Sequence, residues 1–179
     1  MLSREKFSTR SAEYTSGMIG SDRTPEAPLD SLEFSIFGYI SRPRLEVYEA
    51  VTDPLLLSKY FTTGGAKGRL EAGAIVEWDF ADFPGAFPVE VLEADGGTRI
   101  VVRWGGEPHA TVAAAHTDVT FEFIAEGERT KVVISERAWQ LNEAGSRGAF
   151  GNCMGWTGML AAMKAWLEHG INLREGFYR

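Results

Sequence analysis

The middle of this chain alternates apolar and polar side chains with the period of a β-strand. The pattern is regular in three segments, IVEWDF (75–80), RIVVRW (99–104) and DVTFEFI (118–124). Strands of antiparallel sheets alternate in this way because one face is buried and the other meets water. We therefore predict a run of about six antiparallel strands, which ends with the segment RTKVVISERAW (129–139).

Short helices are predicted before this run. A first strand, Glu33 to Ile40, leads into a helix from Pro43 to about Val51, which Ser41 is placed to cap. Pro54 starts a second short helix, PLLLSKYF, and the glycines that follow end it.

One long helix closes the chain. Its apolar side chains are spaced 3, 4, 3 and 4 residues apart and form a single stripe: Cys153, Trp156, Leu160, Met163 and Leu167. Gly170 is placed to end the helix after His169. Because the helices are segregated from a continuous antiparallel run, we predict an α+β fold in which a curved sheet wraps around the C-terminal helix.

Residues 1–30 differ from the rest of the chain. Only nine of them are apolar, and they follow neither the helical nor the strand period. We expect a tail or a loosely docked arm there, and one domain over residues 31–179. No secretory signal is evident, and no stretch approaches the roughly 18 apolar residues of a membrane span, so a cytoplasmic protein is expected.

Charge and cysteine content exclude several classes of function. The net charge of −7 argues against a nucleic-acid binder, which needs clustered Lys and Arg, but is compatible with a neutral, apolar or cationic ligand. A single cysteine excludes an intrachain disulfide framework. The three histidines lack metal-ligand spacing, and the glycines around Lys67 lack the pattern of a phosphate loop, so neither a metal nor a cofactor is expected.

Aromatic residues make up 12% of the chain, with 11 Phe, 5 Trp and 5 Tyr. Most of them fall on the faces where the sheet and the last helix are expected to meet. A solid core is one interpretation. The other is an apolar cavity between sheet and helix, since small-molecule sites are mostly apolar. The candidate lining residues are Phe61, Trp78, Phe80, Phe83, Phe87, Trp104, Phe121, Phe123, Trp139, Cys153, Trp156 and Leu160.

Two polar residues are candidates for the same cavity, Glu136 and His109. In VVISERAW, Glu136 shares a face with Val132 and Ile134, and it is a buried carboxylate if that face points inward. The alternative register places Val133 on the inner face and Glu136 in water. The sequence does not choose between the two registers. Cys153 is interpreted as a core residue, because no activating base lies near it in sequence.

Glycines in the last helix need an explanation, because each costs about 1 kcal/mol relative to alanine inside a helix. They are Gly151, Gly155 and Gly158. Either the helix begins later than Gly151, so that part of the set is loop, or the small residues leave room for a guest molecule.

Several of these segments resemble a known family. The marks are Ser41-Arg42-Pro43, Val47-Tyr48-Glu49-Ala50, Thr52-Asp53-Pro54, the pair Tyr60-Phe61, and the closing GWTGMLAAMKAWLEHGINLR (155–174). They are similar to homologues of the activator of the heat-shock-protein-90 ATPase, within the START-like helix-grip superfamily. The resemblance covers about residues 34–174 and has no counterpart for the first 30. It implies a β-α-α-β6-α fold with a cavity between the sheet and the long helix.

Three functions follow as expectations. The first is binding of a small hydrophobic, aromatic or lipid ligand in the cavity, since members of the superfamily bind apolar molecules. The second is a co-chaperone role, because the activator for which the family is named engages a chaperone. The third is a cavity enzyme, a hydrolase or cyclase, with Glu136 or His109 as acid or base. The enzyme is the least favoured of the three, because no catalytic constellation is visible. The sequence indicates no oligomeric state.

Overall fold

The computed structural model describes residues 30–105 and 116–178. The predicted tail therefore lies almost entirely outside the described residues, as does His109. The elements, in chain order, are β1 (Leu32–Ile40), α1 (Arg44–Thr52), α2 (Pro54–Leu57), β2 (Gly65–Lys67), β3 (Ile75–Phe80), β4 (Phe83–Ala94), β5 (Arg99–Trp104), β6 (Thr117–Glu126), β7 (Arg129–Trp139) and α3 (Glu143–His169).

All seven strands form one antiparallel sheet in the order β1-β7-β6-β5-β4-β3-β2. From β2 to β7, strands that are consecutive in the chain pair with each other, and β7 also pairs with β1. Helix α3 packs along β1, where a Cβ at Gly38 would lie 3.0 Å from a methyl group of Leu160. The predicted α+β helix-grip fold, with its β-α-α-β6-α order, is confirmed.

The strand faces agree with the alternation in the sequence. Val76, Trp78 and Phe80 of β3 are all buried, and so are the inner residues of β6. In β7, Val132, Ile134 and Glu136 are completely buried, whereas Val133 is only partly so. The structure thus has the register that turns Glu136 inward.

The structure differs from the prediction at the end of α2 and at the start of α1. Helix α2 ends at Leu57 and does not continue to Phe61. Ser41 does not cap α1, which begins after Pro43 without a side-chain cap. The backbone N–H of Ser41 instead donates to the Glu168 carboxylate at 2.6 Å, so this residue links the end of β1 to the end of α3. As predicted, Gly170 ends α3, with a φ of 69° that favours glycine.

Helix α3 is longer than its apolar stripe. Asn142 caps it by accepting a hydrogen bond from the Gly145 N–H at 2.8 Å, and the helix runs for 27 residues. Gly151, Gly155 and Gly158 therefore all lie inside it, and the interpretation that the helix starts after Gly151 is wrong. None of the helices in the two described ranges is long and apolar enough to cross a membrane.

The segment after α3 folds back onto the helix and the sheet. Arg174 is buried and forms an ion pair with Asp82, in the turn between β3 and β4. The Tyr178 hydroxyl lies against Gly158, where an added Cβ would be 2.6 Å from the oxygen. Gly158 thus makes room for the returning chain.

Candidate functional site

Glu136 lies on the inner face of β7, between β1 and β6, and is completely buried. Burying a carboxylate is costly unless its oxygens receive hydrogen bonds or a counter-charge. The neighbours of Glu136 therefore show what the protein does with this charge.

Five hydrogen bonds reach the carboxylate of Glu136. Oε1 accepts from Trp104 Nε1 at 3.0 Å, Thr117 Oγ1 at 2.6 Å and Asn152 Nδ2 at 3.0 Å. Oε2 accepts from Trp156 Nε1 at 2.7 Å and from Asn152 Nδ2 at 3.2 Å. We call these five residues the Glu136 cluster. Its donors come from β5, β6 and α3, so it joins the sheet to the long helix.

All four donors of the Glu136 cluster are uncharged. Two are indoles, which donate but cannot accept, so each carboxylate oxygen acts as an acceptor. Within residues 30–105 and 116–178, no Lys, Arg or His nitrogen forms an ion pair with Glu136. In the described part of the chain, the buried carboxylate is therefore stabilised by hydrogen bonds and not by an ion pair.

Aromatic rings surround one side of the Glu136 cluster in a closed circuit of contacts. Trp156 stacks on Phe61 with centroids 5.3 Å apart, and Phe61 meets Phe80 at 5.0 Å. Phe80 stacks on Phe87 at 5.9 Å, and Phe87 meets Trp104 at 5.7 Å. Trp104 returns to Trp156 at 5.1 Å, which closes the circuit.

Two further rings back this circuit. Trp78 contacts Phe61, Trp104 and Trp156, with centroids between 5.6 and 6.5 Å apart. Phe121 meets Trp156 edge-on at 5.4 Å. Seven of the predicted cavity residues are therefore brought together beside Glu136. We call them the aromatic cluster: Phe61, Trp78, Phe80, Phe87, Trp104, Phe121 and Trp156.

The other five predicted lining residues lie apart from these ring contacts. Phe83 is 68% exposed, and Leu160 packs against Gly38 of β1. Phe123 meets Tyr48 of α1, with centroids 5.3 Å apart. Cys153 is half-buried.

Trp139 is the last of these five. It is half-buried and packs against α3, where a Cβ at Gly148 would lie 2.5 Å from its ring. Its Nε1 is buried without a hydrogen-bond partner within the described ranges.

Thr117 and Asn152 were missed by the sequence analysis. Both were detectable once the inner faces were assigned. Thr117 is two residues before Val119 and so points to the same face of the strand. Asn152 is four residues before Trp156 and so lies on the same side of the helix. Polar residues at such positions must find partners, and here their partner is Glu136.

A second charged group lies at the solvent-facing side of the sheet. Asp118 is 8% exposed and accepts two hydrogen bonds from Arg103, at 2.7 and 3.2 Å, and one from Arg137 at 3.3 Å. The hydrogen bonds from Arg103 are the main reason that the pKa of Asp118 lies below its usual value. This group therefore stabilises the strand pairing of β5, β6 and β7.

Among the residues described, no three His, Cys, Asp or Glu side chains converge in a way that could hold a metal ion. An open surface groove at the start of α3 is lined by Glu143, Ala144, Arg147 and Gly148, none of which was predicted to line the cavity.

Solved structures share this fold at low sequence identity. A protein from Staphylococcus saprophyticus is 20% identical, with a TM-score of 0.66, and the match covers 80% of this chain and 96% of that one. The Aha1 dimer from Colwellia psychrerythraea is 18% identical, with a TM-score of 0.62 and coverage of 78% and 98%. An HSP90 activator from Plasmodium falciparum is 22% identical, with a TM-score of 0.60 and coverage of 75% and 95%.

No curated protein matches the sequence as a relative. A protein family, in contrast, does match. The family model described as "Activator of Hsp90 ATPase homolog 1-like protein" matches residues 41–168, which is more than half of the chain. The match spans the elements from α1 to the last turn of α3 and contains every member of the Glu136 cluster. The chain therefore belongs to the family of activator of Hsp90 ATPase homolog 1-like proteins.

Proposed function

We propose that this protein binds a small hydrophobic or aromatic molecule between the sheet and α3, at the Glu136 cluster. The observation that carries the proposal is a completely buried carboxylate, hydrogen-bonded to two tryptophans of the aromatic cluster. Mostly aromatic walls with a few fixed polar groups are the usual composition of a small-molecule site.

The energetics of burial support a functional reason for Glu136. Replacing a buried charged or polar group together with all its partners by well-packed apolar residues is often neutral or stabilising, so stability alone does not explain why this core contains a carboxylate and its donors. Positions at which a sequence departs from the locally favourable choice are often functional. In this core, Glu136 is such a departure.

Access to the site is expected on the side of Trp104, Phe87 and Asn152, which are all half-buried. Trp78, Phe121 and Trp156, in contrast, are almost completely buried. Because the rings contact one another, the ligand would lie against the half-buried rings rather than among the deep ones. Phe83, on the same strand as Phe87, adds an exposed aromatic surface nearby.

Titrating the purified chain with a panel of apolar and aromatic compounds, followed by tryptophan fluorescence, tests this proposal. We expect at least one compound to bind, and Trp104→Ala to weaken its binding about tenfold or more, as the loss of an aromatic contact surface does. Phe37→Ala is the matched control, because Phe37 is a 62% exposed aromatic residue of β1. Absence of binding, or equal effects of the two substitutions, would contradict the proposal.

A second candidate is stimulation of a chaperone ATPase. It is favoured by the family to which the chain belongs and by the fold it shares with the Plasmodium falciparum HSP90 activator. The experiment is an ATPase assay of the purified chaperone with and without this protein, together with a pull-down. No stimulation and no recovered chaperone would exclude this second function.

A further inference from the structure

We infer that the ligand of the Glu136 cluster is an organic cation, a protonated or quaternary amine carried on an apolar body. This ligand class presupposes the proposed function, namely that a small molecule binds at this cluster. It follows from three observations: the sign of the buried charge, the orientation of the two indoles and the engagement of the donors.

The buried charge is negative and has no counter-ion among the described residues. Every donor to Glu136 in the described ranges is neutral. A hydrogen-bonded carboxylate still carries its full charge, and charges interact more strongly in a protein interior than in water. A cation that approaches the cluster is therefore attracted, and an anion is repelled.

The orientation of the indoles adds to this attraction. Trp104 and Trp156 both point an N–H edge at Glu136, with nitrogen–oxygen distances of 3.0 and 2.7 Å. The edge of an aromatic ring carries its positive partial charge, and the faces carry the negative one. With its positive edge turned inward, the half-buried Trp104 presents a negative face on the accessible side, and cations bind to such faces. The face of Trp156 is covered by Phe61 and is not available to a ligand.

The half-buried residues mark where a cation would lie. Trp104 and Phe87 meet at an angle of 48° and form two walls of the accessible side of the aromatic cluster. A quaternary ammonium against these walls contacts both rings. Glu136 then lies at the N–H edge of Trp104. The exposed ring of Phe83, further along β4, is available for the apolar body of the ligand.

The donors of the cluster disfavour other ligands. Each of the four side chains that donate to Glu136 is engaged by it, and Asn152 bonds to both oxygens. An anionic ligand would have to take donors away from a buried carboxylate and would leave it under-solvated. A protonated amine brings its own donors and can replace those of Asn152. Asn152 and Trp104 are half-buried, whereas the other two donors are buried.

The acidity of the whole chain acts in the same direction. A net charge of −7 raises the local concentration of cations and lowers that of anions around the protein. This long-range effect is general, whereas the Glu136 cluster is specific, and the two are separable by mutation.

Three probes with the same benzyl group and different charge test the inference on the full chain. They are benzyltrimethylammonium, its neutral carbon isostere neopentylbenzene, and the anion phenylmethanesulfonate. We expect the ammonium to bind about tenfold or more tightly than the neutral isostere, in the range of a partly desolvated cation–aromatic contact, and the sulfonate to bind most weakly. Equal or tighter binding of the neutral or anionic probe would overturn the cation assignment while leaving a small-molecule site in place. Binding of none of the three would overturn both proposals.

Substitutions of carboxylates separate the site from the general charge. Glu136→Gln is expected to reduce the preference for the ammonium to about twofold or less, because the buried charge is gone. Glu122→Gln removes the same charge from the solvent-facing side of β6, where Glu122 is 44% exposed, and should leave the preference intact. A preference that survives Glu136→Gln, or that Glu122→Gln reduces equally, would contradict the inference.

Asn152→Ala provides an independent test if Glu136→Gln does not fold. This substitution retains the carboxylate and removes two of its five hydrogen bonds. The ammonium preference should then be maintained or increased, because the carboxylate keeps its charge while fewer hydrogen bonds offset that charge. A loss of preference in a folded Asn152→Ala variant would show that Glu136 does not attract the cation.

Discussion

Trp156 of α3 donates its indole N–H to Glu136 of β7 across a distance of 2.7 Å, and both residues are almost completely buried. This bond connects the middle of the long helix to the inner face of the sheet. Removal of the carboxylate by Glu136→Leu leaves four buried or half-buried donors without their acceptor. We expect a loss of about 3–5 kcal/mol in the free energy of unfolding, measured by urea denaturation.

The control for that measurement is Glu122→Leu, on the solvent-facing side of the neighbouring strand. Its partner Arg99 and Glu122 itself are both more than 40% exposed, so a change of at most about 1 kcal/mol is expected. Equal effects of the two substitutions would contradict the assignment of Glu136 as the link between sheet and helix.

Two glycines of α3 are predicted to respond oppositely to alanine. No described atom lies within 4 Å of a Cβ at Gly151, so Gly151→Ala should stabilise the protein by about 0.5–1 kcal/mol through helix propensity. At Gly158 the same Cβ would lie 2.6 Å from the Tyr178 hydroxyl, so the gain should be cancelled or reversed. Thermal unfolding measures both effects.

The double variant Gly158→Ala, Tyr178→Phe identifies the cause. Loss of the hydroxyl removes the closest contact, because the next ring atom lies at 3.7 Å. Most of the helix-propensity gain should then return. If Gly158→Ala alone stabilises the chain as much as Gly151→Ala, the returning C-terminal segment does not dock on α3 as described.

The ion pair of Arg174 with Asp82 is predicted to stabilise the turn between β3 and β4. The side chains are only 7% and 13% exposed. Arg174→Gln breaks a buried pair and should cost about 3–5 kcal/mol in the free energy of unfolding. Lys67→Gln, which breaks the Lys67–Glu77 pair at the exposed edge of the sheet, should have little effect on the free energy of unfolding. A cost below about 1 kcal/mol for Arg174→Gln would refute the stabilising role.

Asp118 gives a prediction about pH. Its pKa in the folded protein is lowered, chiefly by the hydrogen bonds from Arg103, so the folded state binds this proton more weakly than the unfolded state. The resulting stability is fully present above the unfolded pKa of about 3.9 and is lost as the pH falls through the lower folded value. Asp118→Asn should therefore cost about 1.5–3 kcal/mol at neutral pH, in the range of a hydrogen bond to a charged group. The cost should shrink in denaturation curves recorded at and below about pH 3. A cost that is independent of pH would contradict this account.

The fold was predictable because it follows from the spacing of the apolar residues and from the order of the strands and helices along the chain. Alternation in β3, β5 and β6 and the stripe on α3 identified the sheet, the helix and the faces that meet. The register of β7 was not predictable from its own sequence, since Val132 and Val133 offer apolar residues on both faces. It is fixed by the pairing of β7 with β6 and β1, which is a property of the whole sheet.

The candidate site was predictable only in part. Aromatic residues on inner faces identified seven rings that do contact one another. Phe121 and Phe123 point to the same face of β6, but Phe123 packs against α1 at another part of the core. The alternation in the sequence identifies the face to which a side chain points, not which residues it contacts there. Thr117 and Asn152 were missed because their role depends on their hydrogen bonds to Glu136. They are 19 and 16 positions away from Glu136 in the sequence.

The central claim is that an organic cation binds against Trp104 and Phe87, next to the buried carboxylate of Glu136. The most direct measurement is the nuclear magnetic resonance of the five tryptophan indole N–H groups, assigned by single Trp→Phe substitutions, during a titration with benzyltrimethylammonium. We predict saturable shifts of the Trp104 and Trp156 indole signals, whose protons point at Glu136, and no comparable shift of Trp166, which lies outside the cluster. Unchanged Trp104 and Trp156 signals at a concentration that saturates the protein would contradict the claim.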